Sequence, residues 1–103
     1  MNIEELEKKI VEAIKEIYDP EIPINIYELG LIYDVAVTAE NEVVVLMTLT
    51  APNCPEAEGI PIQVEQRIME IPEITKVKVL VTFEPPWDRD MMSESAKFAL
   101  GFF

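Results

Sequence analysis

The chain contains no histidine, and that absence removes several chemistries at once. A histidine-centred metal cage, a Cys–His nucleophile pair and a Ser–His–Asp triad are all excluded within one chain. Its three glycines, Gly30, Gly59 and Gly101, are too scattered for a phosphate-cradling loop or a dinucleotide fingerprint. Basic side chains are scarce: 8 Lys and Arg stand against 20 Asp and Glu, giving a formal charge of −12. Phosphate backbones draw their affinity from clustered cations, so nucleic acid is not an expected partner. A partner with a basic face fits better, because complementary charge speeds encounter. No apolar run reaches the eighteen or so residues of a membrane span. The first residues, Met1-Asn2-Ile3-Glu4-Glu5, put acid where a secretory signal wants lysine or arginine. With a single cysteine, Cys54, no internal disulfide can form. These features together lead to the expectation of a cytoplasmic protein with no membrane partner.

What is present is enough for one core. The 103 residues, half of them hydrophobic, suit a single domain over 1–103 that needs no disulfide or metal staple. Ile3, Leu6, Ile10, Ile14 and Ile17 recur every three or four residues, which predicts an amphipathic helix. Asp19-Pro20 should stop it by about Tyr18. The segment from Asp19 to Gly30 carries two prolines and several isoleucines. It reads as an anchored loop with one short turn around Ile26 to Leu29, and Gly30 supplies a positive φ or a close backbone approach. Leu31 to Val37 and Val43 to Leu49 read as strands joined by the polar turn at 38–42, an antiparallel hairpin. The second is apolar on both faces and belongs inside the sheet. Asp34, in the first, must lie on an exposed face or edge, since burying a lone carboxylate is costly.

Ile60, Val64, Ile68 and Ile71 mark a second helix that starts with Pro61 and ends at Pro72. Val77, Val79, Val81 and Phe83 alternate as a third strand with an apolar face. Met92 to Leu100 is a short last helix, capped by Ser93 or Asp90 and stopped by Gly101. The expected fold class is α/β (α+β): a compact domain with a three-stranded mixed sheet, hairpin then helix then strand, helices mainly on one face, and a short C-terminal helix.

Chemistry concentrates at the end of the second strand. Thr48-Leu49-Thr50-Ala51-Pro52-Asn53-Cys54-Pro55 joins the most apolar strand to the second helix, and such junctions hold loop groups on a stiff base. A helix start would favour the Cys54 thiolate, whereas Glu56 and Glu58 oppose it. Cys54 is either a functional thiol or a small buried apolar residue. Thr48 and Thr50 either assist a ligand or simply close a strand. Trp87, the only tryptophan, either buries a loop or anchors a partner.

The run Asp19-Pro-Glu-Ile-Pro-Ile-Asn-Ile-Tyr-Glu-Leu-Gly-Leu-Ile-Tyr-Asp34 resembles the opening signature of the iron–sulphur cluster assembly domain family, which includes PaaD-like and SufT-like proteins. The resemblance continues through Met47-Thr-Leu-Thr-Ala-Pro-Asn-Cys-Pro55, Phe83-Glu-Pro-Pro-Trp87 and the closing Met92-Ser-Glu-Ser-Ala-Lys97, and covers nearly the whole chain. It implies an accessory role in iron–sulphur cluster assembly, transfer or targeting to apoproteins. Cys54 is then the cofactor-binding residue and a shared iron–sulphur ligand, with Thr50 beside it; Asp19, Thr48, Pro55 and Trp87 contact the partner or support the site. Partners would be iron–sulphur assembly components or recipient apoproteins, and a homodimer could bring two Cys54 thiolates to one labile cluster. Assembly work rather than turnover is the expectation. The alternatives are a thiol-dependent enzyme with Cys54 as nucleophile, and a purely structural interaction adaptor.

Overall fold

A computed structural model describes residues 3–19, 22–50 and 59–101. The helices and strands run in the expected order, α1 (Ile3–Ile14), β1 (Ile32–Val37), β2 (Glu42–Met47), α2 (Ile60–Met69), β3 (Lys76–Val81) and α3 (Glu94–Leu100), with a 3-10 turn (Arg89–Met91) before the last. The sheet has the order β1-β2-β3, with β1 antiparallel and β3 parallel to the central β2. This is the mixed three-stranded sheet of the expected fold class, with the helix α2 as the crossover that a parallel pair requires.

Burial explains the order. Val43, Val45 and Met47 of β2 face a helix layer and are sealed from solvent. Leu6, Ile10 and Ile14 from α1 and Ile60, Val64 and Ile68 from α2 supply the opposing surface. The two helices pack on each other and lie on this one face, α1 against β1 and α2 against β3. Each fully buried aliphatic side chain there contributes about 1.5–3 kcal/mol through transfer from water. Asp34 is exposed on the edge strand β1, the position that its charge demands.

Three local features differ from expectation. Regular helix ends at Ile14 rather than near Tyr18. The next bonds tighten to the i−3 pattern, with the Glu16 and Ile17 N–H groups donating to Ala13 and Ile14. The tightening frees the Ile17 carbonyl to accept from the Ile26 N–H at 2.9 Å and lets Tyr18 pair with Asn25. The third strand ends at Val81, and Val81 and Phe83 are exposed despite their apolar parity, because β3 is an edge strand with one flank open to water. The 3-10 turn at Arg89–Met91 was not anticipated; the Asp88 side chain caps it by accepting from the Asp90 N–H. The last helix behaves as expected, with Ser93 as its N-cap and Gly101 closing it at φ 76°.

Candidate functional site

Register brings the distant motifs together. Met47, the last residue of β2, pairs with Ile32 at the start of β1 and with Val81 at the end of β3. Three connections therefore meet at one end of the sheet. They are the segment that begins at Asp19, the segment that leaves β2 through Thr48 and Thr50, and the segment that runs from Thr82 through Trp87. The opposite end carries the hairpin turn at 38–41, tied to the start of β3 by the Thr75 hydroxyl donating to the Glu40 carbonyl at 2.9 Å.

The first segment is built from two side-chain-capped turns. Asp19 is buried, and its Oδ1 accepts from the Ile22 N–H at 3.2 Å. Asn25 Oδ1 accepts from the Glu28 N–H at 2.9 Å and starts the single turn that ends at Gly30. These are local i to i+3 bonds of the kind that make Asp and Asn turn formers. Gly30 has φ 82°, and a Cβ there would collide with the Met91 carbonyl, so both roles anticipated for this glycine apply together.

The last segment straps this turn down. Trp87 Nε1 donates to the Leu29 carbonyl at 2.7 Å, the Ser93 N–H donates to the Glu28 carbonyl at 2.8 Å, and the Tyr33 hydroxyl donates to the Pro85 carbonyl at 2.7 Å. Trp87 is half-buried against the core, so it holds a loop in place. The adjoining Leu31 carbonyl accepts from the Thr48 N–H at 2.8 Å, which ties the strapped turn to the first residue beyond β2. Thr48 is wholly buried, and among the described residues its hydroxyl has a long 3.5 Å approach to the Leu49 carbonyl. Its place is beneath the site. Thr50 is half-buried at the last described position before the loop. Cys54 and Pro55 lie outside the described residues, as do Pro52 and Glu56.

Of the residues singled out from sequence, Asp19, Thr48, Thr50 and Trp87 thus belong to segments that meet at one end of the sheet. Tyr33 and Met91 were missed. Tyr33 is the extra residue of a bulge where the β1–β2 register shifts, and its hydroxyl also lies 3.6 Å from Met91 Sδ. A tyrosine at a strand start was the one available signal, and it names no acceptor. Among the described residues no group of three or more Cys, Asp or Glu side chains could enclose a metal ion. A surface groove of about 520 Å³ between α1 and α2, lined by Lys8, Lys9, Glu16 and Arg67 among others, contains none of the candidate residues. Near it, Lys9 Nζ lies 3.2 Å from Glu73 Oε1. The Glu73 carboxyl is held below its ordinary range, first by its own backbone N–H and then by Lys9.

The fold is a small α/β domain whose motif-bearing segments meet at one end of its sheet. Residues 7–81 match the family profile described as "Iron-sulfur cluster assembly protein", and the chain belongs to that family. It is 51% identical over 96 residues to an Fe-S protein maturation auxiliary factor of Porphyromonas gingivalis, covering 93% of this chain and 91% of that protein. It is 47% identical over 85 residues to the Fe-S protein maturation auxiliary factor SufT of Staphylococcus aureus, covering 82% and 97%. Among solved structures, a domain of unknown function from Bacillus anthracis superposes with a TM-score of 0.88 at 37% identity, over 97% of this chain and 95% of that one. A conserved hypothetical protein of Thermotoga maritima gives a TM-score of 0.78 at 36% identity, over 91% and 92%. The role of the chain is accordingly an accessory one in iron–sulphur cluster assembly and transfer to apoproteins.

Proposed function

We propose that residues 1–103 act as one iron–sulphur cluster assembly domain of the cytoplasm, in which Cys54 offers a sulphur ligand to a cluster passing from a donor to a recipient apoprotein. The observation that carries this reading is the pairing of Ile32, Met47 and Val81, which gathers the three motif-bearing segments at the end of the sheet from which the Cys54 segment departs. Thr50, four positions before Cys54 in the sequence, is the second cluster-binding residue of this reading. Asp19, Thr48 and Trp87 support the site by fixing the turns and strand end around it, and Pro55 restricts the backbone next to Cys54.

The cluster is cargo. Clusters are held by several thiolates, and this chain has one cysteine. The remaining ligands come from the partner, or from Cys54 of a second copy in a homodimer. One ligand per chain suits transfer, because a cluster held by few bonds is released by stepwise ligand exchange without a change in oxidation state. Its acidic surface, at −12, favours assembly components or recipients that present a basic face.

Anaerobic reconstitution of the chain with iron and sulphide, with and without a recipient apoprotein, tests the reading. Cluster absorbance should appear with wild type and vanish with Cys54→Ser while the thermal melt is unchanged. Equal absorbance and equal client maturation with folded Cys54→Ser would reject it.

A further inference from the structure

The hydroxyl of Tyr33 faces two acceptors and has one proton to give. It donates to the Pro85 carbonyl at 2.7 Å, while Met91 Sδ lies 3.6 Å away. A thioether is a weak acceptor, so the carbonyl holds the proton. Together with the bond from the Trp87 indole to the Leu29 carbonyl, this bond fastens the strap at 83–90, which is exposed throughout except at Trp87. Met91 closes the strap from its other end. Its carbonyl and its Cβ crowd the place where a Cβ on Gly30 would stand, so the residue is wedged against the turn at 25–30.

The methionines differ in what can reach them. Met47 and Met92 are sealed in the core, whereas Met69, the last residue of α2, is 44% exposed. Met91 is half-buried and follows the exposed Arg89 and Asp90. We propose that Met91 is an oxidative modification site: a hydroperoxide converts its thioether to the sulphoxide, and the new oxygen takes the Tyr33 proton from Pro85. The reaction is an oxygen transfer. A sulphur lone pair attacks one peroxide oxygen, the S–O bond forms and the O–O bond breaks. After a proton shift an alcohol leaves, or water where the oxidant is hydrogen peroxide. Sulphur gives up two electrons and the peroxide takes them. Two thiols restore the thioether and yield one disulfide and water, which is the chemistry of methionine sulphoxide reductases.

The separation of 3.6 Å suits a sulphur contact, and an oxygen carried on that sulphur comes within ordinary hydrogen-bond reach of the phenol. Oxidation also turns an apolar side chain into a polar one with a strong acceptor. Tyr33 has a single proton, so it serves Met91 only by leaving Pro85. The strap then depends more heavily on Trp87, and the end of the sheet where the motifs gather loosens under oxidant. Met69 is the internal control, a thioether outside the strap. The inference goes beyond the proposed function, since it involves neither Cys54 nor iron.

The test treats the full chain carrying Cys54→Ser with hydrogen peroxide, so that thiol oxidation does not enter. Peptide mass mapping should place oxygen on Met69 and Met91 and leave Met47 and Met92 unmodified. The carbon shift of the Pro85 carbonyl should move, and the Trp87 indole N–H should exchange about tenfold faster, as expected for the loss of one hydrogen bond. Met91→Leu should abolish both responses, and Met69→Leu should keep them. Met91→Gln, which carries an amide oxygen in place of the sulphoxide, should show both without peroxide. In Tyr33→Phe the indole should exchange fast from the start and ignore peroxide. Met91 left intact under conditions that fully oxidise Met69 overturns the proposal. So does Met91 sulphoxide with an unmoved Pro85 carbonyl and unchanged indole exchange, or a response that survives Met91→Leu.

Discussion

The indole Nε1 of Trp87 donates to the Leu29 carbonyl at 2.7 Å, joining residues 58 positions apart in the chain. That bond closes the strap over the turn at 25–30, beside the bonds from Ser93 and Tyr33. Trp87→Phe keeps most of the ring and deletes the donor. The Leu29 carbonyl would be left without it in a half-buried place, so stability should fall by about 1–3 kcal/mol. Denaturant titration of both proteins measures this. A change near zero would mean that water replaces the indole without cost.

Gly30 should not tolerate alanine. Its φ of 82° costs an L-residue about 1–2 kcal/mol, and the new methyl group meets the Met91 carbonyl. A melting temperature lowered by at least 4–8 °C is expected, taking about that shift per kcal/mol in a domain of this size. Because the collision is with backbone, the strap at 89–93 should lose amide-exchange protection in the same variant.

Ile68, wholly buried on α2, separates stability from cluster work. Ile68→Ala should cost about 2–5 kcal/mol in denaturant titration. At a temperature where the variant remains folded, its thiol-dependent behaviour should match wild type.

Thr48 gives a finer test. Its hydroxyl is sealed from solvent and, among the described residues, has a 3.5 Å acceptor, while its backbone N–H makes the structural bond to Leu31. Thr48→Val keeps that N–H and the shape, so denaturant titration should show a change within about 1 kcal/mol. Cluster reconstitution should be likewise unaffected. Loss of reconstitution in a stable Thr48→Val protein would give the hydroxyl a direct part in the site.

The Lys9–Glu73 pair predicts a pH effect of fixed sign. The folded Glu73 carboxyl titrates below its unfolded value, held there by its backbone N–H and by Lys9. Its contribution is therefore fully present above the unfolded value, near pH 4.3, and is lost as pH falls through the lower, folded one. Carboxyl chemical-shift titration should show the Glu73 midpoint below the ordinary glutamate value. Lys9→Ala should move it partway back, leaving the backbone share.

Much of this architecture was readable because it is local. Isoleucines three and four apart fixed the faces of α1 and α2, alternation fixed the strands, and prolines marked the breaks. Asp34 could be assigned to an exposed position from its charge alone, and Gly30 from its freedom of φ. The convergence at Met47 was not readable, since it depends on which strand lies beside which and in what direction. Nor was the strap: Leu29, Glu28 and Pro85 contribute backbone carbonyls, and every residue has one to offer. A tyrosine or tryptophan in a sequence declares a donor and says nothing of its acceptor. Cys54 was legible as the only thiol in the chain, while the geometry around it lies outside the described residues.

The hairpin turn at 38–41 lies a full strand length, about 20 Å, from the end where the motifs gather. A fluorophore or immobilisation tag at the exposed Ala39 would thus report from the far pole of the molecule. The proposed recruitment of assembly components at the opposite pole could then be tested in real time without the reporter standing in the way.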